Sequence, residues 1–289
     1  MIDLHTHTNE SDGTYSPAEL VEAAKRIGLE GLAITDHDTF AGYDKASPIA
    51  GAHGLDLVCG IEVNTRTSRA SAAKERTWDV HLLGYFLHEP PSLSFREWLF
   101  DLLKSRRERN GRLIDKLRSM GVAIELAEVE ALGRTLTGRP HFARVLVDKG
   151  YASSHEEAFR NYLGESAPGF VHRDSPHTAM GIQQIAAAGG LPVVAHPVRL
   201  GIRDPQQEEA FLAELVDAGL RGIEVYHSDH RPHDVERYAA IAKKYGLAVT
   251  GGSDFHGSAK PSVQLGTGIN GNLSVPQKVL ANLRTAARA

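Results

Sequence analysis

The first thirteen residues, MIDLHTHTNESDG at positions 1–13, join a short apolar strand to several side chains that can bind metal ions. His5 and His7 are separated by one residue, and Asp12 follows in the same segment. Residues i and i+2 of an extended strand point to the same side, so the two imidazoles can contact one cation. A single His-x-His pair is weak evidence for a metal site, so further ligands have to come from the rest of the chain.

Strands and helices alternate along most of the sequence. The segment SPAELVEAAKRIGL predicts a helix, with Ser16 as its N-cap and Gly28 at its end. The helix candidate FAGYDKASPIAGAHG either continues through Pro48 or is broken there. Apolar strand candidates are EGLAITDHD, LDLVCGIEVNT, DVHLLGYF, LPVVAHP, GIEVYHS and LAVTGGSDFHG. This alternation is typical of parallel β/α units.

The alternation is interrupted between about residues 96 and 171. The segment FREWLFDLLKSRRERNGRLIDKLRSMG predicts a long amphipathic helix, and shorter helix candidates follow without a convincing strand. We therefore predict that residues 1–95 and 172–289 form one α/β domain, with an all-helical insertion domain at residues 96–171. The basic run KSRRERNGR is interpreted as the solvent-exposed face of the long helix, although it could also guide RNA.

Histidine or carboxylate side chains accompany nearly every predicted strand. The carboxyl ends of the strands of a β/α barrel meet at one face, so residues distant in sequence become neighbours there. Imidazole and carboxylate together favour zinc, iron or manganese over calcium. The groups are too many for one ion, so two or three neighbouring sites are expected, with Glu62 able to bridge two of them. They are His5, His7, Asp12, His37, Glu62, His81, His196, Asp254 and His256.

Composition places a few further limits on function. The chain of 289 residues has a formal net charge of −4, which argues against attachment to nucleic acid or membrane through bulk positive charge. Its single cysteine, Cys59, excludes an intramolecular disulfide and a cysteine-based zinc site. No apolar stretch reaches membrane-spanning length and no signal-peptide pattern is visible, so we expect a cytoplasmic protein without a membrane or protein partner.

Four segments, HTHTNESDG, TDHD, AHP and SDFHG, occur in this order and resemble the PHP (polymerase and histidinol phosphatase) family of metallohydrolases. The resemblance covers about residues 1–95 and 172–280. It implies a distorted (β/α)7 barrel of the amidohydrolase-like type with a trinuclear metal centre. The three divalent ions are expected to be manganese, with zinc or iron as alternatives.

The same resemblance distributes the ligands over the three ions. The first ion would bind His5, His7, Glu62 and Asp254. The second would share Glu62 and add His81 and His196, and the third would bind Asp12, His37 and His256. Every ligand position of the family is filled in this sequence, which argues against an inactive scaffold.

Longer segments narrow the expected activity. The stretches IDLHTHTNESDGTYSP, TDHDTFAGY and TGRPHFARVLV are similar to those of bacterial 3′,5′-nucleoside bisphosphate phosphatases. This similarity implies removal of the 3′-phosphate from a small nucleotide such as pAp, which yields AMP and phosphate. Because close relatives are 5′→3′ exonucleases, action on short 5′-phosphorylated RNA is an alternative. A histidinol-phosphate-type phosphatase and a non-catalytic metal-dependent binding module are two others.

The expected chemistry is attack on phosphorus by a hydroxide that bridges two metal ions. Glu62 and His196 would take part in catalysis by holding these ions. Because His196 is then engaged as a ligand, His227 or His230 is the better candidate to protonate the leaving oxygen.

A bisphosphate also requires a second anion site away from the metal ions. The insertion segment GRPHFAR offers Arg139 and His141, and Pro140 fits the first turn of a helix whose N-terminus favours anions. Arg199 follows the AHP segment closely enough to lie near the metal centre. Arginine can bind phosphate through two parallel hydrogen bonds, so we expect Arg139, His141 and Arg199 to contact substrate.

Overall fold

Seven strands form one sheet, and their order in the sheet follows the sequence. The computed structural model of the chain describes residues 1–70 and 75–288, so residues 71–74 and 289 of the predicted barrel segments lie outside the described residues. The strands are β1 (Ile2–Asp3), β2 (Gly31–Ile34), β3 (Asp56–Ala70), β4 (Glu75–Phe86), β5 (Leu191–Val194), β6 (Gly222–His227) and β7 (Ala248–Gly252).

The sheet curves until its first and last strands meet. Leu4 N donates to Gly251 O at 3.2 Å, and Asp254 N donates to His5 O at 2.9 Å. Neighbouring strands are parallel except at β4, which runs antiparallel to both β3 and β5. This nearly closed barrel of mostly parallel strands confirms the predicted α/β class and the distorted (β/α)7 barrel.

Helices connect the strands and cover the outside of the barrel. They are α1 (Pro17–Arg26), α2 (Ala41–His53), α3 (Leu93–Ser119), α4 (Leu126–Glu130), α5 (Arg139–Asp148), α6 (His155–Ala158), α7 (Thr178–Ala187), α8 (Pro205–Asp217), α9 (Pro232–Tyr245) and α10 (Lys278–Ala286). The described part of the chain has no helix with both the length and the apolar character needed to cross a membrane.

Local sequence signals account for the ends of α1. The Ser16 side chain accepts from Glu19 N, and the Glu19 side chain in turn accepts from Ser16 N, which forms a capping box. Gly28, with φ at +75°, follows the last turn and lets the chain leave in the left-handed region. Helix α2 continues through Pro48, which settles the alternative that the sequence left open.

Apolar side chains fill the barrel beneath its carboxyl-terminal face. Leu4, Leu83, Tyr85 and Val193 pack there, together with Leu283 from α10, which closes the opposite end of the barrel. A second apolar layer lies between the sheet and helices α7, α8 and α9. Burial of these side chains removes apolar surface from water, and the polar residues are left at the carboxyl-terminal face.

Residues 96–171, all of them described, contain helices and turns but no strand, as the sequence predicts. Besides α3 to α6 they include a π-helical turn at Phe159–Leu163. Leu117, Phe142 and Leu163 belong to a separate apolar core in this part of the chain. A core of its own is what an insertion domain requires, although the division into domains stays a prediction.

Candidate metal centre and adjoining cavity

The side chains predicted to bind metal lie together at the carboxyl-terminal face of the barrel. Glu62 is at the centre, with 1% of its surface exposed. Its Oε2 atom lies 3.2 Å from His5 Nε2 and 3.0 Å from His7 Nε2. Its Oε1 atom lies 2.7 Å from His81 Nδ1 and 3.0 Å from His196 Nε2. One carboxylate therefore joins two groups of imidazoles, in the arrangement expected of a bridging ligand.

The remaining predicted ligands complete the cluster. His256 Nε2 lies 3.2 Å from Asp12 Oδ1, and His37 Nε2 lies 3.7 Å from Asp12 Oδ2. Three sets made up only of predicted ligands have potential ligand atoms within 4.8 Å of one another: His5, His7, Glu62 and Asp254; His7, Asp12, His37 and His256; and His37, Glu62 and His81. The four-residue sets contain the first and third predicted sites in full. Of the second predicted site, the three-residue set contains Glu62 and His81 but not His196, whose Nε2 lies 3.0 Å from Glu62 Oε1.

His81 reaches the cluster for a reason that the sequence does not show. It lies near the start of the predicted strand DVHLLGYF, whereas the other ligands were expected at strand ends. Because β4 runs antiparallel, its early residues lie at the same face as the carboxyl ends of the parallel strands. His81 is accordingly opposite Asn64 of β3, two residues beyond Glu62.

The electrostatics of the cluster fit a divalent cation. Burial opposes ionisation of Glu62, but His37, His81 and His5 hold the pKa of its carboxyl well below the usual value. Burial alone would lower the pKa of His7, but Asp254 and Glu62 raise it to about 9. Both ring nitrogens of His7 are buried without a hydrogen bond of good geometry to the described residues. A ring nitrogen that gives up its proton beside ionised carboxylates can bind manganese, iron or zinc.

A cavity of about 300 Å³ extends from this cluster towards the helical segment. Glu62, His196 and Asp254 are part of one wall, and Pro140, Phe159 and Phe170 are part of the other. Arginines also line it, namely Arg66, Arg106, Arg109, Arg139, Arg173 and Arg199. The barrel and the helical segment thus form the cavity together.

The arginines of this cavity are only partly neutralised. Asp38 is fully buried, and it pairs with Arg106 and lies 3.4 Å from Arg173 Nη1. Arg109 is 3% exposed and has no hydrogen bond or ion pair with any described residue. Burial and the neighbouring Arg106 lower the pKa of Arg109 to about 9 and that of Arg173 to about 10. Both remain charged near neutral pH, so the cavity has positive charge available for an anion.

Comparison with known proteins agrees with this geometry. The profile of the PHP domain matches residues 3–163, which is more than half of the chain. The chain is also 33% identical over 265 residues to the 3′,5′-nucleoside bisphosphate phosphatase of Chromobacterium violaceum, with 88% of this chain and 87% of that protein covered. The chain belongs to the PHP domain family. As a member of this family it is a metal-dependent phosphoesterase.

Two further relatives of this PHP protein bear on its activity. It is 32% identical over 259 residues to the 5′-3′ exoribonuclease of Haemophilus influenzae, with 88% of this chain and 89% of that protein covered. A solved structure from Bifidobacterium adolescentis, described as a candidate metal-dependent phosphoesterase, matches with a TM-score of 0.81 at 31% identity. That match covers 99% of this chain and 96% of the other.

Neither His227 nor His230 of this PHP protein is part of the lining of the cavity. They are 1% and 4% exposed, respectively. His227 Nε2 lies 3.7 Å from Asp254 Oδ2, and His230 Nδ1 lies 2.8 Å from Val225 O. A proton donor has to reach the leaving oxygen, so these positions give no support to the predicted role of either histidine.

Two of the three predicted substrate contacts line the cavity. Arg139 begins α5, and Arg199 Nη1 lies 2.8 Å from Asp254 Oδ2. His141 is buried, and its Nδ1 accepts from Gly138 N at 3.1 Å, so it caps the start of α5 and does not line the cavity.

The interpretation of KSRRERNGR as an exposed face is wrong for two of its arginines. Arg106 and Arg109 are buried and line the cavity, whereas Arg107 and Arg112 are exposed. The spacing of residues along α3 could have predicted the burial of these two arginines. Positions 106 and 109 fall on the same face of the helix as the apolar positions 99, 113 and 117, and this face is buried. Basic residues on the apolar stripe of a helix predict a buried cationic site.

Proposed function

We propose that this PHP phosphoesterase removes the 3′-phosphate from nucleoside 3′,5′-bisphosphates such as pAp. The observation that carries the proposal is the surplus of arginines in the same cavity as the metal-binding cluster. A phosphate at the cluster would be hydrolysed while the other phosphate is bound by guanidinium groups. The name of the relative from Chromobacterium violaceum supports the same substrate class.

In this proposal the metal-binding cluster holds three divalent ions, with manganese as the expected metal and zinc or iron as alternatives. When bound, such ions supply an activated water and neutralise charge on the phosphoryl oxygens. Glu62 ties the groups of ligands together, and His196 and His81 orient one of its oxygens. A further ion would be bound next to His7 by Asp12, His37 and His256.

The 5′-phosphate is assigned to Arg109, Arg139 and Arg173. Arg109 has no competing carboxylate among the described residues, and Arg139 is at the first turn of α5, whose N-terminus favours anions. Phe159 and Phe170 line the same cavity, and the Arg139 guanidinium lies 6.0 and 5.8 Å from their ring centres. These rings offer apolar faces to a nucleobase.

Two cations are placed to act at the phosphate that is cleaved. Arg199 and Lys260 lie 2.8 and 2.7 Å from Asp254 Oδ2, and both line the cavity. Each can contact phosphoryl oxygens beside the cluster. Because Lys260 lines the cavity and His227 and His230 do not, we assign Lys260 the role of protonating the leaving oxygen.

The helical insertion has a direct part in this function. We assign residues 96–171 to an insertion domain and residues 1–95 and 172–289 to the barrel. The insertion supplies Arg106, Arg109 and Arg139, whereas the barrel supplies the metal ligands. Substrate would therefore bind between the two parts.

The charge of the cavity also bears on the alternatives. Histidinol phosphate has an ammonium group that the arginines would repel, which argues against a histidinol-phosphate-type activity. A 5′-phosphorylated RNA end offers the same 5′-phosphate and a cleavable bond on its 3′ side. Together with the relative named as an exoribonuclease, this makes 5′→3′ exonuclease action on short RNA the second candidate function.

The decisive experiment measures product release from three substrates with manganese present. Charge-assisted hydrogen bonds contribute about 1.5–3 kcal/mol, so kcat/KM for pAp should exceed that for 3′-AMP by roughly 10- to 100-fold. A 5′-phosphorylated oligonucleotide tests the second function in the same assay. Equal rates on pAp and 3′-AMP would contradict a separate site for the 5′-phosphate.

A further inference from the structure

Glu224 of β6 is a buried carboxylate that no part of the proposed function uses. Its side chain is fully buried. Oε1 lies 2.9 Å from His5 Nδ1, and Oε2 accepts from His196 N at 2.7 Å. His5 points its other ring nitrogen, Nε2, at Glu62, and the ring of His196 also points its Nε2 at Glu62. Glu224 thus contacts two members of the metal-binding cluster from the side that faces away from Glu62.

Glu224 faces the barrel interior by the ordinary alternation of β6, because Ile223 and Val225 on either side of it pack in the apolar layer against the helices. The pairing of β6 with β7 shifts just after Glu224. On a regular strand, residues three apart such as Glu224 and His227 would point to opposite faces. The shift changes this alternation after Glu224, so that His227 also lies against His5 inside the barrel. Bulges of this kind often redirect a side chain next to a functional site.

We infer that Glu224 is a positioning residue that fixes which nitrogen of His5 binds metal. An ionised carboxylate only accepts hydrogen bonds, so His5 Nδ1 has to carry the proton that it shares with Glu224. The Nε2 atom then presents its lone pair to the space between Glu62 and Asp254. A partner on the second nitrogen of a metal-binding histidine both selects the tautomer and raises the basicity of the ligand.

The contact with His196 has a related effect. The backbone of His196 has φ at +26° and ψ at 62°, a conformation that non-glycine residues rarely adopt. The hydrogen bond from His196 N to Glu224 holds this conformation and so aims the ring at Glu62. One carboxylate therefore orients two imidazoles from different strands.

A direct role of Glu224 as a metal ligand is the main competing explanation. His5, Glu224 and His227 have potential ligand atoms within 4.8 Å of one another. However, each oxygen of Glu224 already has a hydrogen-bond partner, His5 Nδ1 or His196 N. A cation at this position would have to replace the proton shared between His5 Nδ1 and Glu224 Oε1, so the positioning role is favoured.

Glu224→Gln tests the inference without a large change of shape. His196 N is only a donor, so the amide oxygen of the new side chain has to face it. The amide NH2 group then faces His5 Nδ1 and drives the His5 proton to Nε2, the atom that should bind metal. We expect Mn²⁺ to bind about 10- to 100-fold more weakly, with the same number of ions at saturation.

The measurement is the binding of Mn²⁺ alone to the full-length protein, followed by metal analysis and by the rise in melting temperature on titration. No substrate enters it, so its outcome is independent of the proposed phosphatase activity. Glu208→Gln is the matched control, because Glu208 is 2% exposed and bonds instead to Tyr238. That variant should bind Mn²⁺ as the unchanged protein does.

Glu224→Asp provides a second variant that keeps the acceptor-only carboxylate. It should bind Mn²⁺ more tightly than Glu224→Gln does, and the metal-free Glu224→Gln protein should unfold near the temperature of the parent. Unchanged Mn²⁺ affinity in Glu224→Gln would overturn the inference. The loss of one ion at saturation would instead make Glu224 a ligand, and a large loss of metal-free stability would make it a structural residue.

Discussion

Arg109 shows at the scale of a single residue how binding and stability oppose each other. A buried guanidinium without a partner costs free energy in the empty protein and contributes once an anion binds. Arg109→Met should therefore raise the free energy of unfolding by about 1–4 kcal/mol while lowering kcat/KM for pAp by roughly 10- to 100-fold. Thermal unfolding and phosphate release measure the two effects, and turnover of 3′-AMP should be nearly unchanged.

The control for this prediction is Arg107→Met on the same helix. Arg107 is exposed and pairs with Glu130 at 2.8 Å, so its replacement should change stability and turnover only slightly. If Arg109→Met slows pAp and 3′-AMP equally, Arg109 does not bind the second phosphate.

Single residues also show what the sequence could predict. His5, His7 and Asp254 could be identified because their chemical type coincides with predicted strand ends. Glu224 could not, because it lies in the middle of GIEVYHS, and its contacts with His5 and His196 are visible only in the tertiary structure. Arg109 was recognisable in principle from helical spacing, but its lack of a counterion requires the tertiary structure.

At the scale of elements, Asp38 connects parts of the chain that are far apart in sequence. It follows β2 with φ at +52°, and its Oδ1 accepts from Asn64 N of β3 at 2.9 Å. Its Oδ2 pairs with Arg106 of α3 and lies 3.4 Å from Arg173, just before α7. A single carboxylate thus holds a barrel loop, the long helix and the return to the barrel in one network.

Asp38→Asn should test this network, because asparagine tolerates the same backbone conformation. The variant leaves Arg106 and Arg173 without their buried counterion and should lower the free energy of unfolding by about 3–5 kcal/mol. Urea unfolding measures the loss, and inorganic phosphate should restore part of it by acting as a replacement anion.

The matched control is Asp44→Asn. Asp44 pairs with Arg96 on the surface, so its loss should cost no more than about 1 kcal/mol. Equal losses in the two variants would show that the Asp38 network contributes no more than an exposed pair.

The direction of β4 marks the limit of prediction at this scale. The sequence shows that LDLVCGIEVNT and DVHLLGYF are strands with no helix between them. Their pairing from Cys59 with Phe86 to Ala70 with Glu75 makes a long antiparallel hairpin, which no periodicity reveals. His81 was nevertheless named as a ligand, because the resemblance to the PHP family assigns it to the second ion, and its Nδ1 does lie 2.7 Å from Glu62 Oε1.

At the scale of the whole molecule, alternation of strands and helices predicted parallel β/α units, and the resemblance to the PHP family predicted their closure into a barrel, but neither predicted the cavity. The cavity depends on how residues 96–171 pack against the barrel face, and the sequence contains no signal for that contact beyond the buried face of α3. Most of the metal ligands, by contrast, lie together because a barrel brings the carboxyl ends of its parallel strands to one face, and His81 joins them from the antiparallel β4.

Metal binding should also stabilise the closure of the barrel. The first and last strands meet at a seam formed by the segments that follow β1 and β7, which carry His5, His7 and Asp254. Across this seam His7 N donates to Phe255 O and Asp254 N donates to His5 O, both at 2.9 Å. Without cations, Glu62, Asp12 and Asp254 repel one another across this seam. Ions at 100 times their dissociation constant stabilise by about 2.7 kcal/mol per site, so chelation should lower the melting temperature by several degrees.

Hydrogen exchange locates this effect within the molecule. Chelation should speed exchange at the amides of His7 and Asp254, and added Mn²⁺ should slow it again, because local opening of the seam becomes costlier when ions join its two sides. Amides of α5, which pack in the separate core around Phe142, serve as the internal control and should change little. If Mn²⁺ slowed amide exchange equally throughout the chain, or if chelation left the melting temperature unchanged, the ions would not join the two sides of the seam.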